Sequence, residues 1–333
     1  MNHYRIIIGI GAIMVDPMFQ GVSLPHRGTV HPLGFTLNIA SNSPAALRAA
    51  NESWGQFPRA FHEPAMEVRV VAASHTANHR ESEPGYKMND HLFTIVADRE
   101  NFATIDLERS FAFCWVADEV IEDTAYFRYF FLEALAYAAL TYRYLTPIHA
   151  ACVAIGGGGV LLYGPSGTGK SCLAFSCAKR GWSFLTDDFT SLVRQRSDRF
   201  VIGKPFVARF RPSAAKLFTE LRDLEPFVMP NGKPSVELQT SAACIKTILN
   251  CRVDLVVFLN RQDCTEPEIA EISAEDAFCR MEQDMYVYPP RVVEEQKRSL
   301  RSLLPATFCT LRYNHLDTAV TALEKVVRKV ALV

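Results

Sequence analysis

The sequence predicts a mixed α/β protein of two domains, the first rich in short strands and the second built around a strand–loop–helix–strand unit. Three observations predict it. Before residue 120 the chain holds five short segments rich in Val, Ile, Phe or Thr, each bounded by turn residues. Between residues 123 and 145 the pattern changes to a long helical run. After residue 147 two apolar strand segments flank four consecutive glycines, and a second glycine-rich loop then opens a helical pattern. A length of 333 residues suits two domains of roughly 100–200 residues each. An apolar content of 49% is enough for a sizeable core and excludes a disordered chain.

The elements follow in order. An apolar run, Arg5 to Val15, reads as an N-terminal strand or ordered tail rather than a signal segment, because it has one nearby Arg and no A-x-A site. Strands are predicted at Gly34–Ile39, Glu67–Ala73, His91–Ala97, Phe102–Asp106 and Phe111–Val116. Ala77–Tyr86, polar and holding Pro84-Gly85, reads as a loop. A helix is predicted from Asp123 to about Leu145, with Asp123 or Thr124 as N-cap and Pro147 as its stop. Its richest stretch, Tyr126 to Leu145, carries Arg128, Glu133 and Arg143, so it packs in a core rather than spanning a membrane. The domain boundary is placed here, giving 1–146 and 147–333. In the second domain a strand, Asp254–Leu259, is followed by a helix opened by Ser273-Ala-Glu-Asp276 in capping-box style. Helices at 291–303 and 317–331 close the chain, the last with Asp317 or Thr318 as cap.

Composition removes several function classes. Basic and acidic residues number 35 and 36, so there is no overall basic footprint for nucleic acid. Nine cysteines include no CxxC pair, which argues against a zinc ribbon or a thioredoxin-like site. They suit small core hydrophobes in a reducing, cytoplasmic setting.

Glycine carries the chemistry. The chain has only 17, yet seven of them (Gly156, Gly157, Gly158, Gly159, Gly164, Gly167 and Gly169) lie within fourteen residues. Gly164-Pro165-Ser166-Gly167-Thr168-Gly169-Lys170-Ser171 matches the Walker A pattern at every fixed position. Glycines let successive backbone N–H groups turn toward an anion, and the helix that follows aims its N-terminus at the same place. The segment from Gly164 to Cys172 is therefore the predicted phosphate cradle. Lys170 would neutralise the β/γ-phosphates and the Ser171 hydroxyl would ligate Mg²⁺. The helix Cys172–Arg180, stopped at Gly181, spans about 16 Å, so the chain returns to a strand Phe184–Thr186 lying parallel to Val160–Tyr163. That brings Asp187 and Asp188 to the carboxyl edge of the sheet, beside the phosphates. One can hold Mg²⁺ and the other accept a proton from a hydroxyl. Asp187 is the choice for base and Asp188 for metal, with the reverse order open. The four glycines read as a hairpin turn. Pairing Ile155 with Val160 sets 153 against 162 and His149 against Ser166, at the cradle. His149 is thus a phosphate-contacting or proton-handling candidate.

These residues resemble a known family. Gly164 to Ser171, then Lys179-Arg-Gly181, then Leu185-Thr-Asp-Asp188, with His149 before the loop, look like the catalytic core of the HPr kinase/phosphorylases. The resemblance implies a P-loop core related to phosphoenolpyruvate carboxykinase. It also implies ATP (or pyrophosphate) and Mg²⁺, with Lys170, Ser171, Asp187, Asp188 and His149 as site residues. It is specific over about 148–190. The first domain does not resemble the family's regulatory domain, and the family's second signature is not found. The whole chain looks more like stand-alone HPr-kinase-like proteins. The expected function is ATP- and Mg²⁺-dependent transfer of phosphate to a hydroxyl, serine first, on a peptide, protein or small molecule. No nucleic-acid or membrane partner is expected, and a homo-oligomer is open. A nucleotide-binding regulatory module without transfer, or a phosphorylase or hydrolase, is the alternative.

Further candidates are weaker. Arg209 and Arg211 alternate with Phe210, so an extended segment would project both to one face, as a phosphate clamp or a solvated edge. Lys233 lies in an Asn-Gly-Lys-Pro turn, and Arg261 just past a strand end. Cys172 and Cys177 read as helix packing rather than redox groups.

Overall fold

The structure, a computed structural model, describes residues 22–74, 83–285 and 288–330. The run Arg5 to Val15 and residues 77–82 of the predicted loop lie outside them. The chain divides into two compact units, one of residues up to 87 with 92–136, the other of 88–91 with 137–333.

The first unit is a seven-stranded mixed sheet with strands β1 (His26–Val30), β2 (Leu37–Ser41), β3 (Met66–Ala73), β4 (Gly85–Asn89), β5 (Leu92–Val96), β6 (Phe102–Asp106) and β7 (Phe111–Ala117), in the order β1-β2-β3-β7-β6-β5-β4. β3 is parallel to both β2 and β7. Four of the five predicted strands fall on β3, β5, β6 and β7. Gly34 sits in a turn at φ +88°, so the first predicted strand begins only at Leu37. Gly85 and Tyr86 belong to β4 rather than to the predicted loop. Helix α1 (Pro44–Trp54) has proline in its first turn and buries Ala46, Ala49, Ala50 and Trp54.

The predicted helix 123–145 is interrupted. α2 (Asp118–Glu122) and a single turn, α3 (Thr124–Tyr126), precede a π-helical stretch, Phe127–Leu132, and then α4 (Glu133–Arg143). The Asp123 carboxylate accepts from the Tyr126 N–H at 3.1 Å, as an N-cap does. Phe127, Phe130, Phe131 and Leu132 are all buried, and the wider turn accommodates these four large side chains within six residues. The helix ends at Arg143, and Leu145 and Pro147 lie in a strand, β8 (Leu145–Ile148). Proline is tolerated there because β8 is the edge of its sheet.

The second unit continues with β9 (Ala150–Ile155), β10 (Gly158–Tyr163), α5 (Lys170–Lys179), β11 (Ser183–Thr186), β12 (Thr190–Val193), β13 (Phe200–Ile202), β14 (Val207–Phe210), β15 (Phe227–Val228), β16 (Pro234–Gln239), β17 (Asn250–Arg261), β18 (Glu268–Glu271), α6 (Ala274–Gln283), α7 (Pro290–Leu300), β19 (Thr307–Tyr313) and α8 (Leu316–Val330). Nine strands form one sheet, ordered β11-β9-β10-β17-β13-β12-β8, with β19 beside the later half of β17 and β18 beside β19. β14, β16 and β15 form a separate small sheet. Alternation sorts the side chains of the large sheet. Val153, Val160, Leu162, Leu255 and Val257 join a core with α5, α8, Ala208, Phe210, Val236 and Leu238. Cys152, Leu161, Tyr163, Val256 and Phe258 face the opposite core with Phe278, Met281 and Leu300. The sheet is thus covered on both faces, and this holds its carboxyl edge in place.

Candidate active site

The hairpin β9–β10 aims the site, and its register differs from the expected one. Ile155 pairs with Gly158 and Ala150 with Tyr163. Only Gly156 and Gly157 turn, at φ +60° and +88°. Two positive-φ residues are what a two-residue hairpin needs. Gly158 and Gly159 lie inside β10, where a Cβ on Gly159 would come within 2.6 Å of Cys251 Sγ and 2.7 Å of a β17 carbonyl oxygen. The predicted pairing is therefore two residues too long. His149 comes level with Gly164, the first residue of the loop, rather than with Ser166. β11 runs parallel to β10, as the motif spacing implies, but β9 lies between them.

Gly164 to Gly169 connect the end of β10 to the start of α5. Gly167 and Gly169 have φ of +95° and +93°. A Cβ on Gly164 would lie 2.9 Å from Thr168 Oγ1, and one on Gly169 2.6 Å from the Tyr313 hydroxyl. The Thr168 hydroxyl donates to the Pro165 carbonyl at 2.8 Å, and Tyr313 donates to the Thr168 carbonyl at 2.7 Å. Lys170 is buried, and its ammonium donates to the carbonyls of Gly164 (2.6 Å) and Pro165 (3.3 Å). Burial lowers its pKa, against the pull of Asp188, Asp284 and Asp187. Ser171 Oγ donates to the Asp187 carbonyl at 3.4 Å, which ties the first turn of α5 to the end of β11. Cys172, half-buried, and Cys177, fully buried, lie in α5 with their thiols pushed up by burial, consistent with packing.

The two aspartates occupy different environments. Asp187 is buried and accepts from the backbone N–H of Arg209 at 2.8 Å. Burial pushes its carboxyl up to about 6, with the Asp188 charge adding to the shift and the Arg209 hydrogen bond opposing it. Asp188 is half-exposed and pairs with His149, Nε2 to Oδ1 at 2.9 Å. A carboxylate has no proton to give, so Nε2 is the donor. Burial raises the Asp188 pKa. The His149 hydrogen bond and the charges of His149, Lys170 and Lys233 outweigh that and leave it lowered. The His149 ring stacks on Phe189, with centroids 5.5 Å apart.

The small sheet closes one side. Arg209 and Arg211 do not act as a pair: the Arg209 guanidinium meets Glu237 at 2.9 Å, while Arg211 donates to Ser166 Oγ at 3.2 Å and lies beside Gly167. Lys233 sits in the turn before β16, where its N–H bonds to the Asn231 side chain and its charge reaches Asp188. Two partners are not visible in the sequence. Tyr313 is 145 residues from the Thr168 it holds. Tyr163 hydrogen-bonds Asp284, 121 residues away. Phe189 could have been suspected, since it directly follows the aspartates. Among the described residues no cluster of three or more His, Cys, Asp or Glu is spaced to hold a metal alone, and no helix is long and apolar enough to cross a membrane.

Residues 142–222 match the family model of the HPr Serine kinase C-terminal domain. The chain is HPr kinase-like over this segment. The HPr kinase-like stretch takes in His149, the loop, both aspartates and Arg211, and leaves out Arg261 and Tyr313. Among solved structures the chain is similar to the Hpr(Ser) kinase/phosphatase from Coxiella burnetii at 13% identity, over 56% of this chain and 96% of that one, with a TM-score of 0.31. No curated protein matches the chain.

Proposed function

We propose that this chain is a phosphotransferase using ATP and Mg²⁺, with a hydroxyl, first of all serine on a peptide or protein, as acceptor. The observation that carries the proposal is the pair of dissimilar carboxylates beside a P-loop lysine. Asp187 is buried and pushed up to about 6, and Asp188 is held ionised by His149. Two neighbouring groups of one kind, with affinities for the proton pushed apart, divide into base and charge-holder.

The residues fit the ligands. The cradle excludes Cβ atoms at Gly164 and Gly169, and Lys170 lies buried against its own loop, so the backbone is shaped for close approach by an anion. The Ser171 hydroxyl and the Asp188 carboxylate are hard oxygen donors suited to Mg²⁺. The metal would offset charge on the phosphates. The chain's own residues do the rest. Lys170 and the loop amides orient the phosphates. Asp187, ionised above about pH 6, takes the acceptor hydroxyl's proton on a carboxylate oxygen. His149 holds Asp188 in place, and Arg211 stands at the Ser166–Gly167 crown to meet phosphate oxygens.

Transfer of label from γ-labelled ATP to seryl peptides or to lysate proteins tests the proposal. The wild type should transfer label. Asp187→Asn should lower transfer by about 10²–10⁴-fold while retaining ATP binding. No transfer by the wild type to any hydroxyl acceptor, despite nucleotide binding, would instead favour a regulatory nucleotide-binding module.

A further inference from the structure

One arginine beside the loop has no part in the chemistry above. β11, β10, β17 and β19 all run in the same direction, so their carboxyl ends share one edge of the large sheet. Along that edge come Asp187 and Asp188 after β11, His149 at the start of β9, the loop after β10, and then Arg261 at the end of β17. The loop therefore lies between the carboxylates on one side and Arg261 on the other.

Arg261 is exposed, and among the described residues no carboxylate pairs with it. A Cβ on Gly169 would lie 3.8 Å from its Cδ, so its stem runs beside the point where the loop enters α5. Its charge is felt by Cys172 and by Tyr313. Arg211 occupies a different place, at Ser166 and Gly167.

A phosphate chain is linear, and a cradle holds it along its length. With its reactive end at Asp187, its far end points across the loop toward β17. We propose that Arg261 contacts the nucleoside at that far end, its planar guanidinium stacking on the base, and so makes the site select a nucleoside triphosphate over an inorganic polyphosphate. The inference rests on the phosphate-loop reading above and adds which side of the loop the base occupies.

Calorimetric titration with ATP and, separately, with inorganic tripolyphosphate tests it, using wild type, Arg261→Ala and Arg261→Lys. Arg261→Ala should weaken ATP binding about tenfold and change tripolyphosphate binding by less than about twofold. Arg261→Lys, which keeps the charge and loses the plane, should fall between wild type and alanine for ATP. Equal losses for both ligands would place Arg261 on the phosphates and overturn the proposal, as would unchanged ATP binding by a variant with a wild-type melting curve. Failure of the wild type to bind either ligand would overturn the phosphate-loop reading itself, a result distinct from the other two.

Discussion

Strand β10 carries a glycine device at each end, and the two differ in what surrounds them. At the Gly156–Gly157 turn an added Cβ meets nothing within 4 Å, although both residues have positive φ. At the Gly164–Gly169 loop the same addition meets Thr168 at one glycine and Tyr313 at another. The first pair is there for backbone angle alone. Gly169 answers to angle and to crowding together. Glycine at a turn is thus replaceable at a modest cost in stability, whereas glycine in a packed loop has no substitute that keeps the loop's shape.

Substitutions can break or sharpen this contrast. Gly169→Ala should have the largest effect. Its Cβ would displace the Tyr313 hydroxyl from Thr168, and ATP binding and transfer should both fall about a hundredfold, measured by calorimetry and by label transfer. Next comes Asp187, whose carboxyl is pushed up to about 6 by burial. As a base it must be ionised, so transfer should rise roughly tenfold per pH unit below 6 and level off above it. Stability should move the other way. A pKa raised on folding adds stability below the unfolded value of about 3.9, and that stability is lost as pH rises through 6. Asp187→Asn should therefore melt about 2–4 °C above wild type at pH 8, with the gap closing near pH 4. Gly159→Ala tests the strand between the two ends. It should lower stability by about 1–3 kcal/mol in urea titration through its clash with Cys251 and β17, yet leave transfer near wild type in the folded fraction. Gly157→Ala should do least, costing about 1–2 kcal/mol of stability with no change in transfer.

The same contrast separates what could be read from the sequence from what could not. The loop, the helix after it and the aspartates are contiguous within 25 residues, and each is specified by local backbone chemistry. Strands β3, β6 and β7 are legible because runs rich in Val, Ile, Phe or Thr lie between turn residues. The hairpin register was not. Four glycines allow a two-residue or a four-residue turn, and β17 makes the choice: the Asp254 carboxylate crowds Gly158, while Cys251 Sγ and the Arg252 carbonyl leave no room for a side chain on Gly159. Pro147 reads locally as a helix stop because its edge position in β8 depends on strands that come later in the chain. The aromatic run Phe127–Leu132 gave no local sign of a π-helical turn. The pairing of β14 with β16, which sets Arg209 against Glu237, joins segments 24 or more residues apart, and no periodicity marks it.

Tyr313 has one more consequence, for the order in which the protein is made. The loop it holds is synthesised about 145 residues before it. A chain still on the ribosome can build β9, β10 and α5, because those contacts are local. It lacks the hydroxyl that pins Thr168 until β19 has been translated. The nascent protein thus carries the loop's full sequence through about 145 further residues of synthesis without the brace that shapes it. The ability to hold phosphate should then appear abruptly, when β19 docks, rather than growing with chain length.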